Sequence, residues 1–386
     1  MSLETMQPAL KRGRDVWDRI NMPKAEFLER VAKIQEQMER QGMEALLLYA
    51  NNGNEYADPC YISNYIMKTP QGAIVAITRE GEVALICEGF ARDLPGVKAI
   101  TWVEDVRSCE DVSRHAIAFL SEKGLIPSTI GLVGLEQSMP HEQFRFFLES
   151  TGSCTLIRAD RMIRDMRIIK SQREVDQVRR SARIVAQAFK RLCQTTSSQF
   201  NEKSIEAVMG REAYLEGAED ARILIARYDG NDNRALRPCE ELPISAHERV
   251  SLFLAVEFER YWAQGIKTLV LEKDAFVEPD GAFFRSLLNR IIEGLVTGKE
   301  ISRFCSEASA QARAIDIHIL PEYGLGQGIG LSLQEAPFLD EREAGRFQES
   351  MCLAIQLAAR NKEAGSAVMG ETVYLSRNGP EVLTGI

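Results

Sequence analysis

The sequence predicts two domains of mixed class, a smaller α/β domain over residues 1–165 and an α+β domain over residues 166–386. Three observations carry this. A chain of 386 residues is long enough for two ordinary cores. A helix-start signal at Ser171 follows a boundary near Asp165. Beyond it, strands and helices mix without the strict strand–helix–strand alternation of a doubly wound sheet.

In chain order, Phe27, Val31, Ile34 and Met38 recur at helical spacing and place an amphipathic helix over Pro23 to Arg40, ended by Gly42. Ala45 to Tyr49 follows as a buried strand, and Tyr61 to Tyr65 reads as a short strand or turn. Gly72 to Thr78 and Glu82 to Cys87 form a hairpin broken at Glu80-Gly81. A helix near Asp111 to Lys123 and a strand at Thr129 to Leu135 complete the first domain. Ser171-Gln172-Arg173-Glu174 is a capping box, in which the Ser caps the helix and the Glu reaches back. Val175, Val178, Ala182, Val185, Phe189 and Leu192 then give one long helix a single buried stripe. Helices at Glu202 to Leu215 and Phe283 to Val296 follow. Strands are expected at Arg222 to Ala226, Val250 to Phe258, Gly265 to Leu271, Cys352 to Ala358 and Glu371 to Ser376.

Apolar residues make up 45% and charged residues 27%, with a net charge of -9. That sign argues against nucleic acid as a partner. No apolar run reaches a membrane span, and the N-terminus has no apolar stretch behind its charges, so the expectation is a cytoplasmic protein without a membrane or secretory role. Eight scattered cysteines contain no C-x-x-C pair, which reads as buried free thiols in a reducing compartment.

Four later segments fall in a telling order. The first is Phe253 to Gln264, with Tyr261 inside it and Lys267-Thr268 after it. The second is Gly326-Gln327-Gly328-Ile329-Gly330-Leu331-Ser332-Leu333-Gln334-Glu335-Ala336-Pro337. The third is Glu349-Ser350-Met351 through Gln356, and the fourth is Gly370-Glu371-Thr372-Val373. With Ile168 to Val175 before them, these resemble the signatures of the creatinase, prolidase and aminopeptidase P family. The resemblance covers nearly the whole chain. It implies a pita-bread α+β domain behind a creatinase-type N-terminal domain, and a homodimer.

The family's site is a two-metal hydrolase centre, whose paired ions generate a hydroxide and polarise the scissile carbonyl. Two close divalent ions need several carboxylates and an imidazole around them, and the family supplies two Asp, one His and two Glu. Here those positions fall on Phe253, Gln264, Gln327, Gln356 and Gly370, none of them a carboxylate, imidazole or thiolate. The expectation is therefore no metal and no cofactor. Glu371, one residue from its slot, could restore one ligand by a register slip.

A substrate-side His of the family, at the end of G-x-N-x-x-x-x-H, falls on Arg237, which cannot act as a base near neutrality. The creatinase mechanism therefore does not transfer either. Of the four histidines, His318 stands least remote from a signature. Glu335 survives in its motif as the best acid, with a packing role favoured for it. Glu257 and Glu259 belong to a strand, at least one of them solvated, and Lys267 pairs locally.

Arg237, Tyr261, Gln264, Gln327, Gln334 and Gln356 are the expected ligand-binding set, since amides donate and accept and an Arg grips a carboxylate. The leading reading is a homologue without peptidase activity that binds a small carboxylate or amino-acid-like molecule. A metal-independent, creatinase-like hydrolase or lyase on a small C–N compound, using Glu335 and His318, is the first alternative. An Xaa-Pro dipeptidase or aminopeptidase is the second.

Overall fold

The structure, a computed structural model, describes residues 16–51, 56–67, 71–197, 199–229, 232–233, 236–278, 282–362 and 365–385. The chain divides into two compact units, Met1–Arg167 and Ile168–Ile386.

The first unit runs α1 (Lys24–Gln41), β1 (Ala45–Asn51), α2 (Ala57–Ser63), β2 (Gly72–Thr78), β3 (Val83–Glu88), α3 (Leu94–Ile100), β4 (Asp105–Cys109), α4 (Val112–Glu122), β5 (Thr129–Val133), α5 (Leu135–Ser138), α6 (His141–Ser150), β6 (Thr155–Arg158) and α7 (Asp160–Ile168). Its six strands form one mixed sheet in the order β4-β3-β2-β1-β5-β6. The predicted hairpin is present as the antiparallel pair β2–β3.

Tyr61 to Tyr65 is neither strand nor turn. Residues Ala57–Ser63 form α2, with Pro59 in the first turn and Asn64 closing the helix at φ 59. A proline is tolerated where the helix asks for no donor, and Asn accepts the left-handed cap. All seven residues of α2 are buried, so packing overrides the strand preference of Tyr61 and Ile62. The strand at Thr129 stops at Val133 because Gly134 turns the chain at φ 75, where a Cβ would lie 2.5 Å from the Tyr49 carbonyl.

The second unit continues with α8 (Gln172–Gln194), α9 (Glu202–Leu215), β7 (Asp220–Asp229), β8 (Asp232–Asn233), β9 (Arg237–Pro238), β10 (Arg249–Phe258), β11 (Tyr261–Glu272), β12 (Ala275–Val277), α10 (Ala282–Glu293), α11 (Ile301–Arg313), β13 (His318–Ile319), β14 (Gly326–Gly328), β15 (Glu335–Phe338), β16 (Cys352–Asn361), β17 (Gly365–Ser376) and β18 (Gly379–Val382). The capping box is formed. Ser171 Oγ accepts the Glu174 N–H at 3.2 Å and Glu174 Oε2 accepts the Ser171 N–H at 3.0 Å. Ser171→Ala is expected to cost about 1 kcal/mol, read from the urea midpoint of the second unit.

One twelve-stranded sheet spans this unit, with the main path β15-β14-β16-β17-β11-β10-β7-β8, and each of its pairings is antiparallel. Strand alternation sorts its residues onto two faces. Ile225, Val250, Leu252, Leu254, Val256, Leu269 and Leu271 pack with α8 and α9 residues such as Val185, Phe189 and Ile205. Leu353, Ile355, Leu357, Ala367, Met369 and Val373 pack with α10 and α11 residues such as Leu288, Ile291 and Phe304. Ile266 lies opposite Gly370, so both groups share one face and all four helices cover it. The intervening residues of each strand point to the other face.

Candidate functional site

The five slots lie on the face turned away from the helices. Register places them in two adjacent rows across the strands. One row runs Leu224, Phe253, Ile266, Gly370 and Gln356. The next runs Arg222, Ala255, Gln264, Thr372, Ala354 and Gln327. Positions more than a hundred residues apart in sequence thus become neighbours.

The first row is apolar at its centre. Phe253 is 9% exposed and Ile266 is fully buried. A Cβ added at Gly370 would stand 2.8 Å from the Ile355 carbonyl and 3.2 Å from Ile266 Cδ1. Ile266 therefore fills the space a side chain at position 370 would need. Gln356 donates its amide to the Tyr323 carbonyl, while its own N–H donates to Leu325 O at 3.0 Å.

The second row is polar. Thr372 Oγ1 accepts the Gln264 N–H at 2.9 Å and donates to the Gln264 carbonyl at 2.8 Å, so the backbone there is held on both sides. Gln264 is 2% exposed, yet its Nε2 has no hydrogen-bond partner among the described residues. A buried amide donor left unpaired costs about 1–3 kcal/mol. Gln327 is buried as well.

Glu371 cannot stand in for the fourth carboxylate. It pairs with Ile355 on the helix-covered face, where Arg285 Nη1 donates to it at 2.7 Å and Thr384 Oγ1 donates to its second oxygen. The register slip is closed. Among the described residues no group of three or more His, Cys, Asp or Glu could hold a metal ion. An aromatic ring, three amides and a glycine carry no charge to balance two divalent cations, so the donor set does not fit a dinuclear centre.

Three members of the expected ligand set fall elsewhere. Arg237 lies opposite Ile225 and so shares the helix-covered face. There its guanidinium clamps Glu202, the first residue of α9, with Nη1 and Nη2 each at 2.7 Å. The first, second, fifth and sixth residues of its motif, Gly230, Asn231, Arg234 and Ala235, lie outside the described residues. Tyr261 also takes the helix side and donates to Glu174 Oε1 at 3.1 Å. Gln334 is exposed in the bend before β15.

The two acid–base candidates do not meet. Glu335 is paired with Lys170 at 2.5 Å in a nearly buried ion pair, and His318 is exposed on β13, opposite Arg360. Tyr261 and Glu335 thus survive for one physical reason: through Glu174 and Lys170 they anchor the segment that opens α8. Glu257 and Glu259 are both buried, and Glu259 sits in the turn beside Arg260, so neither is solvated. Lys267 pairs with Glu278 at 2.5 Å, as expected.

Sequence reasoning missed Arg222. It shares the row of Gln264, its guanidinium lies 4.7 Å from the Trp262 ring, and its side chain is half exposed. Among the described residues it pairs with Asp220, at 3.5 Å from Nε. No motif marks the position; only the pairing of β7 with β10 brings it to the site.

An antiparallel sheet with four helices on one face and the slot residues on the other, behind an α/β domain, defines the creatinase–prolidase class. Residues 30–169 match the Creatinase/Prolidase N-terminal domain and residues 176–377 match Metallopeptidase family M24. The chain belongs to metallopeptidase family M24, with a pita-bread domain behind a creatinase-type N-terminal domain. An Xaa-Pro dipeptidase of Pyrococcus horikoshii is 22% identical over 383 residues, covering 92% of this chain and 97% of that one. Among solved structures, the prolidase from Pyrococcus horikoshii OT3 is similar at a TM-score of 0.74 and 20% identity, covering 92% of this chain and 98% of that one. The X-Pro aminopeptidase from Thermotoga maritima MSB8 is similar at 0.76 and 18%, with coverage of 92% and 98%. These relatives carry the names of the second alternative rather than those of the leading reading. No helix among the described residues is long and apolar enough to cross a membrane.

Proposed function

We propose that this chain is a prolidase-like protein that has given up the dinuclear metal site and uses the same face of its sheet to bind a small carboxylate or amino-acid-like ligand. It acts in the cytoplasm, as a homodimer, without peptidase activity. The observation that carries the reading is the set Phe253, Gln264, Gln327, Gln356 and Gly370, with Ile266 packed into the place of the missing side chain. Arg222 takes the cationic role first given to Arg237. Its fork stands in one row with the Gln264 amide, separated from it by the methyl of Ala255.

The names of the relatives favour a second reading, hydrolysis of Xaa-Pro dipeptides. One experiment separates the two. The chain is expressed in medium supplemented with Mn, Co and Zn, its metal content is measured by elemental mass spectrometry, and it is then titrated with glycyl-proline. No stoichiometric metal, intact dipeptide and saturable binding weakened at least tenfold in Arg222→Met are expected. Two ions per chain with chelator-sensitive hydrolysis would establish the peptidase instead. Neither binding nor hydrolysis would end the ligand reading.

A further inference from the structure

Three neighbouring rows on the slot face of the second sheet differ in chemistry. The row of Arg222, Ala255 and Gln264 carries a cation and a buried amide donor. One step along the strands, about 7 Å away, the row of Asp220, Glu257 and Trp262 carries two acids. One step the other way, Leu224 and Phe253 begin the apolar row.

Asp220 and Arg222 stand two residues apart on β7 and so share this face. Arg222 Nε lies 3.5 Å from Asp220 Oδ2, and neither side chain makes a hydrogen bond among the described residues. Arg227, later on the same strand but turned to the helices, is filled from every side. Glu248 accepts from its Nε and, at 2.8 Å, its Nη2, and Glu202 accepts from its Nη1 at 3.2 Å. Arg222 turns only its Nε side to an acid, which leaves its Nη edge open. The buried Trp262 indole, 4.7 Å away, backs the guanidinium.

A planar fork with an open edge takes a carboxylate in two parallel hydrogen bonds. A half-buried carboxylate held only by a loose ion pair takes an ammonium. A ligand with a carboxylate alone is opposed by Asp220, and one with an ammonium alone is opposed by Arg222. A zwitterion satisfies both. Building on the ligand reading proposed above, we infer that Asp220 and Arg222 form a clamp for a free α-amino acid with an apolar side chain. The Nη edge of Arg222 holds its carboxylate, Asp220 accepts from its ammonium, and its side chain lies toward Leu224 and Phe253. One carbon separates the two charges of an α-amino acid, which suits protein groups whose facing atoms are 3.5 Å apart. A dipeptide carries its charges a residue farther apart.

The test titrates three probes of one shape into the full chain by calorimetry at pH 7 with a chelator present. They are leucine, 4-methylpentanoate, which lacks the ammonium, and leucinamide, which lacks the carboxylate. Leucine is expected to bind saturably and at least about tenfold more tightly than either of the others. Asp220→Asn should erase its advantage over 4-methylpentanoate without weakening 4-methylpentanoate itself. Arg222→Met should erase its advantage over leucinamide. A merely structural effect would weaken all three probes alike. The comparison of probes on the unaltered chain needs no variant to fold. Saturable binding of 4-methylpentanoate or glycyl-proline, with leucine no tighter than 4-methylpentanoate, would overturn the clamp and leave the ligand reading standing. No saturable binding of any of these compounds would end both.

Discussion

Glu202→Ala is expected to lower the stability of the second unit by about 3–5 kcal/mol, the range for removing one member of a buried ion pair. Glu202 is fully buried at the start of α9. It accepts two hydrogen bonds from Arg237, one from Arg227 at 3.2 Å and one from the Glu240 N–H at 2.8 Å. The substitution leaves both guanidinium groups short of a partner and the end of α9 without its link to β7 and β9. Urea unfolding followed at Trp262, with Trp17 and Trp102 replaced by Phe, reads the second unit alone. A loss under about 1 kcal/mol would mean the clamp is worth no more than a surface pair.

The same carboxylate sets an acid limit. Burial by itself would raise its pKa, but Arg237, the Glu240 N–H and Arg227 outweigh burial and hold it below the usual range. A group whose pKa is depressed on folding contributes stability above its unfolded value, about 4.3 for Glu, and that contribution is lost as the pH falls through the folded value. Stability of the parent protein should therefore fall below about pH 4.3 more steeply than that of Glu202→Gln. Parallel acid branches would remove Glu202 from the account.

The second large effect is expected from Gly370→Glu, the change that would restore one family carboxylate. Overpacking costs about 1–3 kcal/mol, and an uncompensated buried carboxylate adds to that. The new Cβ meets the Ile355 carbonyl, which cannot give way as a flexible side chain would, and then Ile266. A loss of about 3 kcal/mol or more is expected. Ile266→Ala in the same chain should recover part of it, with coupling of about 0.5–3 kcal/mol between the two positions. A Gly370→Glu variant as stable as the parent would show that the site still accommodates the side chain.

The parts of this molecule written in local sequence were legible. The Ser171–Glu174 box needs only four residues, and the α8 stripe needs only its own periodicity. The slot residues could be found because glycines and a proline around them keep the spacing. Their convergence could not, since it rests on the pairing of β10, β11, β17, β16 and β14. The orientation of Arg237 failed for the same reason: a motif position says nothing about which face of a strand a side chain takes. Tyr61 and Ile62 misled because their preference for strands is a preference for half-buried surfaces, and here they are wholly enclosed in a helix. Arg222 carried no motif at all.

The eight thiols offer a use that neither the fold nor the site suggests. Cys60, Cys87 and Cys109 are buried in the first unit, and Cys239, Cys305 and Cys352 in the second. Burial pushes Cys109, Cys239, Cys305 and Cys352 up to about 12, so a closed protein presents few thiolates to an alkylating reagent. Labelling by iodoacetamide, mapped by peptide mass, would then act as a clock. Cys154 and Cys193, which are only partly covered, react first. Each later triplet marks the rate at which its own unit opens, so the two halves can be timed independently in one tube, without a mutation or a dye.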